Sequence, residues 1–140
     1  SPVHAVTERR PATDGCRILL VEDHQATAVL TARLLRSFGH AVSTAGSVRD
    51  AIELFDQEPF DLVISDLGLP DGSGQDLLGH LLSRRPVKAI ALSGYGMDSD
   101  IRASLDRGFV EHLVKPINAR QLEEAICRVL GRENPEAAEV

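Results

Sequence analysis

A hydrophobic period that switches back and forth along its length limits this 140-residue chain to a few architectures. Short runs that are apolar at nearly every position alternate with segments whose apolar residues recur every three or four. A short continuous apolar run reads as a strand buried on both faces. RILLVE at 17–22 is the clearest, and 62–65, 87–92 and a weaker 110–114, interrupted by Glu111 and His112, follow the same reading. A short strand is expected at 41–45.

Between these runs the spacing predicts helices. Val29, Leu30, Leu34 and Phe38 place one over 25–38, closed by Gly39 just past its end. Ser47 with Asp50 resembles a capping box that opens a helix to Gln57, which Pro59 stops. Further helices are expected over 75–83 and 99–107, the latter ended by Gly108. Asn118 with Gln121 caps a last helix striped by Leu122, Ala125, Ile126, Val129 and Leu130. Five strands alternating with five helices imply a parallel sheet covered on both faces, a doubly wound α/β fold. That fold occupies residues 17–131. Residues 1–16, with Pro2, Pro11 and Gly15, read as a linker or tether, and 132–140 as an acidic tail.

Charge excludes some classes of function. The formal net charge is −6, and the basic spots Arg9-Arg10 and Arg84-Arg85 are isolated pairs. Nucleic-acid binders concentrate a basic face, so no nucleic-acid partner is expected. No apolar run approaches the ~20 residues that span a bilayer, so no direct membrane contact is expected. Cys16 and Cys127 have no metal or redox spacing and read as structural residues in a reducing, cytoplasmic setting.

In a doubly wound sheet, ligands bind beyond the carboxyl ends of the strands. Glu22 and Asp23 follow the first strand, Asp66 the third, Ser93 the fourth and Lys115 the fifth. Singly, each has a bland explanation: the acids and the serine as helix caps, the lysine as solvated surface. Their convergence on one sheet edge is harder to dismiss. Two carboxylates about 4 Å apart repel by ~4 kcal/mol at an effective dielectric of 20, so three must protonate or hold a cation. Oxygen ligands without His or Cys favour Mg²⁺. Lys115 and Ser93 could then hold phosphoryl oxygens, and a carboxylate could act as nucleophile to form an aspartyl phosphate.

The motifs LLVED (Glu22-Asp23), DLVISDLGLPDGSG (Asp66), IALSGYG (Ser93) and LVKPI (Lys115-Pro116) resemble the receiver, or response-regulator, domain of two-component signalling. The likeness covers about residues 17–130, and IALSGYG is similar to receivers fused to hybrid sensor histidine kinases. The resemblance implies a flavodoxin-like sheet of order 2-1-3-4-5. Asp66 would accept the phosphoryl group from a phosphohistidine. Mg²⁺ would be held by Asp23, Asp66, Glu22 through water, and the carbonyl of Gly68. Lys115, with a cis bond to Pro116, and Ser93 would contact the phosphoryl group. The implied partners are a histidine kinase's phosphohistidine domain and a histidine phosphotransfer protein. Such a domain catalyses its own phosphorylation and dephosphorylation without being a turnover enzyme. Two positions depart from the family: Glu22 stands where Asp is common, and His112 occupies the place of an aromatic switch residue working with Ser93.

Competing readings have discriminators. A haloacid-dehalogenase-type phosphatase would need a second acid two residues after Asp66, where Gly68 stands. An interaction module without phosphotransfer would have lost an acid or the lysine. Flavin binding would place phosphate against Glu22 and Asp23.

Overall fold

The computed structural model describes residues 15–94 and 98–131, leaving 1–14 of the expected 1–16 tether and the whole tail over 132–140 outside the described residues. Chain order is β1 (Arg17–Val21), α1 (Gln25–Ser37), β2 (Ala41–Ala45), α2 (Val48–Gln57), β3 (Leu62–Asp66), β4 (Gly68–Leu69), β5 (Gly72–Ser73), α3 (Gly74–Leu82), β6 (Lys88–Ser93), α4 (Asp98–Asp106), β7 (Glu111–Val114) and α5 (Ala119–Leu130). The main sheet runs β2-β1-β3-β6-β7, every pairing parallel. Setting aside the small antiparallel β4–β5 ladder, this is the expected flavodoxin-like order 2-1-3-4-5. Predicted and observed element ends agree within one or two residues, the usual uncertainty of frayed ends.

The continuous apolar runs follow from burial on both faces, because successive strand side chains point opposite ways. Ile18, Leu20, Ile64, Ile90 and Leu92 face Ala32 and Leu35 of α1 and Leu122, Ala125 and Ile126 of α5. The intervening Leu19, Val21, Val63, Ala89 and Ala91 face Val48, Ala51 and Phe55 of α2 and Leu77, Leu78 and Leu81 of α3. Each large side chain buried this way contributes about 1.5–3 kcal/mol relative to exposure. Cys16, at the end of the expected tether, is 3% exposed and already belongs to the first core. Neither cysteine is in a disulfide, and both are buried. Among the described residues no helix is long and apolar enough to cross a membrane.

Helix ends follow the sequence signals with one correction. Asn118 and Gln121 form the full reciprocal capping box of α5. Gly39 and Gly108, with φ of 99° and 114°, take the positive-φ backbone that closes α1 and α4. At α2 the expected capping box is only half formed: the Ser47 hydroxyl accepts from the Asp50 amide at 3.1 Å. The free amides of Val48 and Arg49, which a capping box leaves unpaired, are taken by Asp71, from the turn between β4 and β5. A carboxylate from elsewhere in the chain has taken over the donors left unpaired in the first helical turn.

Candidate functional site

Strand order decides which carboxyl ends meet. In the β1–β3 register Val21 lies opposite Ser65, so Glu22 and Asp66 leave the sheet side by side. At the other edge Ser93 lies opposite Val114, and the Lys115 amide donates to the Ser93 carbonyl at 2.7 Å. Lys115 follows β7 and reaches back past β6. Its ammonium donates to Glu22 Oε1 at 2.6 Å and to Asp66 Oδ2 at 2.9 Å. The Lys115–Pro116 peptide bond is cis.

Glu22 has the most demanding environment, with a side chain only 1% exposed. A buried carboxylate is tolerated only when paired and hydrogen-bonded. Glu22 meets this with the Lys115 ammonium on one oxygen and the His24 amide, at 3.1 Å, on the other. For Lys115, burial pushes the ammonium pKa down, but hydrogen bonds and attraction to Glu22 and Asp66 outweigh it and hold the pKa above the ordinary 10.5.

The ammonium pairs with two carboxylates and a third, Asp23, lies beside Glu22, so the site keeps an excess of negative charge. Asp23 is exposed and has no hydrogen-bond or ion-pair partner among the described residues. Its carboxylate, one from Glu22 and a ring nitrogen of His24 all lie within 4.8 Å of one another. A buried, oriented Glu22 beside an uncommitted Asp23, with Asp66 tied to Glu22 through one lysine, fits a hard divalent cation with open coordination positions.

The loop after Asp66 folds back tightly. The Gly68 amide points at Asp66 Oδ1, at 3.4 Å. Gly74 lies so close that a Cβ there would sit 2.5 Å from the Asp66 carbonyl oxygen, so no larger residue fits without moving the loop. Ser93 is 7% exposed at the end of β6. His112 is partly buried with both ring nitrogens enclosed, paired in register with Ala91. Beside the site, a cavity of about 560 Å³ between α1 and the loop after β7 is lined by Thr27, Leu30, Thr31, Leu34, Pro116 and Ile117, among others, and reaches Lys115. Leu30 on its rim is 63% exposed.

The structure thus joins Glu22 and Asp66 through Lys115, with Asp23 beside Glu22, the Gly68 amide toward Asp66 and Ser93 linked to Lys115 through the backbone. His112 stands three positions up β7 from Lys115. Tyr95 and Gly96 of the IALSGYG motif lie outside the described residues. Two residues near the site were not singled out from the sequence. His24 directly follows the acidic pair, a signal that was available. Asp71, in the turn PDG, carried only an ordinary turn signal.

Comparison with known proteins points one way. The family model described as the response regulator receiver domain matches residues 18–127. The response regulator protein PilR of Pseudomonas aeruginosa is 36% identical over 125 residues, which are 88% of this chain and 28% of PilR. The sensor histidine kinase GacS of Pseudomonas protegens is 30% identical over 98% of this chain and 16% of its own length. The chain therefore spans under a third of each of these relatives. Among solved structures, a response regulator protein from Burkholderia pseudomallei with a phosphorylated aspartic acid, calcium ion and citrate superposes with a TM-score of 0.72. It is 28% identical, over 88% of this chain and 69% of that one.

Proposed function

The chain belongs to the response-regulator receiver family, and from that premise we propose that Asp66 accepts a phosphoryl group from a phosphohistidine in a Mg²⁺-dependent phosphorelay. The observation that carries this reading is the single Lys115 ammonium shared by Glu22 and Asp66, beside an uncommitted Asp23.

Each residue then has a definite task. An oxygen of Asp66 attacks phosphorus, forming the acyl phosphate as the phosphorus–nitrogen bond to the donor imidazole breaks and its electron pair returns to that ring. Lys115 leaves its contact with the carboxylate to meet the incoming equatorial oxygens, a charge-assisted contact. Glu22, Asp23, Asp66 and the Gly68 carbonyl would hold Mg²⁺. The ion supplies charge neutralisation for the phosphoryl oxygens when bound. Ser93 donates to a phosphoryl oxygen, and His112 behind it responds, passing the change to the surface around 94–107. The apolar cavity beside Lys115 is the approach surface for the kinase's phosphohistidine domain or for a histidine phosphotransfer protein. The setting is cytoplasmic, and the sequence motif IALSGYG, with the likeness to GacS, favours origin in a hybrid kinase.

The test uses a small phosphodonor with and without Mg²⁺. We expect one acid-stable, base-labile phosphoryl adduct by mass spectrometry, formed only with metal, and NMR shifts at Ser93 and His112 on its formation. Labelling that ignores Mg²⁺ overturns the metal role, and no labelling at all overturns the function. Unmoved His112 signals remove it from the switch.

Metal binding should also stabilise the fold, since it relieves repulsion among Glu22, Asp23 and Asp66. Mass action gives about 2.7 kcal/mol at a hundredfold excess over Kd. Melting curves should rise with Mg²⁺ and return on chelation, and an unchanged midpoint at saturating metal would contradict a preformed acidic site.

A further inference from the structure

We propose that Asp71 is a positioning residue for this site: its carboxylate ties the loop carrying Gly68 to the N-terminus of α2. The inference rests on the phosphoacceptor reading above and adds to it a residue outside the reacting cluster.

The geometry is two-pronged. Asp71 Oδ1 accepts from the Val48 amide at 2.8 Å and Oδ2 from the Arg49 amide at 3.1 Å. These are free donors at the positive end of a helix, where a carboxylate is favoured. The two amides hold the Asp71 carboxyl below the ordinary 3.8, so the contact is fully charged at neutral pH. The neighbouring Gly72 lies against Val48, where an added Cβ would meet Val48 Cγ2 at 3.2 Å. The turn between β4 and β5 therefore rests on α2 through a charged clamp and a van der Waals contact.

What the clamp restrains is the segment nearest the phosphoacceptor. Within that segment the ladder pairs Gly68 with Ser73 and Leu69 with Gly72, and nothing more. A two-residue ladder is not stable alone. Its base is held by the Leu67 amide on the Leu92 carbonyl and the Gly74 amide on the Leu67 carbonyl, both at 2.9 Å. Its tip is held at α2. Gly68 sits between these anchors with its amide toward Asp66, and has no side chain to fix it. Loss of the tip contact would let the Gly68 amide and carbonyl wander while leaving Glu22, Asp66 and Lys115 paired.

A residue that only capped α2 would affect stability alone, and a control separates the two roles. Ser47→Ala removes another cap bond at the same helix end without touching the loop. Mg²⁺ affinity is measured by titration calorimetry, phosphoryl uptake from a small donor by mass spectrometry, and amide exchange over 67–73 by NMR. We expect Asp71→Ala to weaken Mg²⁺ binding about tenfold, the order seen when outer partners of metal ligands are lost. Uptake slows with it and the 67–73 amides exchange faster. Asp71→Asn, which keeps one acceptor oxygen, falls between, and Ser47→Ala binds Mg²⁺ like the wild type. Equal weakening by Asp71→Ala and Ser47→Ala, or wild-type Mg²⁺ affinity in Asp71→Ala, overturns the inference. If the wild type itself neither binds Mg²⁺ nor takes up phosphoryl, the phosphoacceptor reading falls, and this inference with it.

Discussion

Asp66→Asn should take up no phosphoryl group from a small phosphodonor plus Mg²⁺, while the wild type gains one. The side-chain amide of asparagine is a poor nucleophile and cannot form a stable acyl phosphate, so the effect is complete loss rather than a slower rate. The fold should survive, because Asp66 is only partly buried and its loss removes one of three like charges. The Glu22–Lys115 pair stays in place at 2.6 Å. Intact-mass measurement after equal incubation, followed by base treatment to remove the adduct, is sufficient. Equal labelling of the variant would assign the acceptor elsewhere.

The second large effect should come from Lys115→Ala. The variant leaves Glu22 as a buried carboxylate without a cation, and loss of one partner of a buried pair typically costs about 3 kcal/mol or more. For a domain of this size that is roughly 10 °C in Tm. Replacing both partners, as Lys115→Ala with Glu22→Gln, should recover more than half of the loss, because the uncompensated charge disappears. The pH dependence has a definite sign. The Lys115 pKa is raised in the folded protein, so its contribution is fully present below the ordinary 10.5 and is lost as pH rises through the raised value. The difference between wild type and Lys115→Ala should therefore be constant from pH 7 to 9.5 and shrink only in strong alkali. Denaturant melts of the three variants decide this. A double variant no more stable than Lys115→Ala would mean that Glu22 is not the source of the loss.

The architecture was legible because burial leaves a local record. β1 could be read from RILLV because Ile18, Leu19, Leu20 and Val21 are all fully buried, as a short strand covered on both faces requires. The α5 capping box was legible because both partners lie within four residues of each other. The candidate site was legible for a related reason: parallel strands carry their reactive residues at their carboxyl ends, so reading the residue after each strand finds Glu22, Asp23, Asp66, Ser93 and Lys115.

Other contacts left no local record. The β4–β5 ladder is two residues long and shows no period. At α2 the sequence paired Ser47 with Asp50, three residues on, and the Ser47 hydroxyl does accept from the Asp50 amide. The amides of Val48 and Arg49, which a capping box does not use, went to Asp71, more than twenty residues away, and nothing in the turn PDG names the helix it will meet. Nor could the chain alone distinguish Lys115 bound to Asp66 from Lys115 shared with a fully buried Glu22.

The order of residues alone was enough to place the five strands of the main sheet, the five helices and the reactive groups that stand at strand ends. These depend on hydrophobic period and on bonds between near neighbours. That β1 lies beside β3 followed only from the family resemblance; the folded structure was needed to show that Lys115 crosses from β7 to hold Glu22 and Asp66 together and that the loop after Asp66 is fastened to α2. Those are contacts between distant residues, set by strand order and by which unpaired donors come within reach once the sheet is assembled.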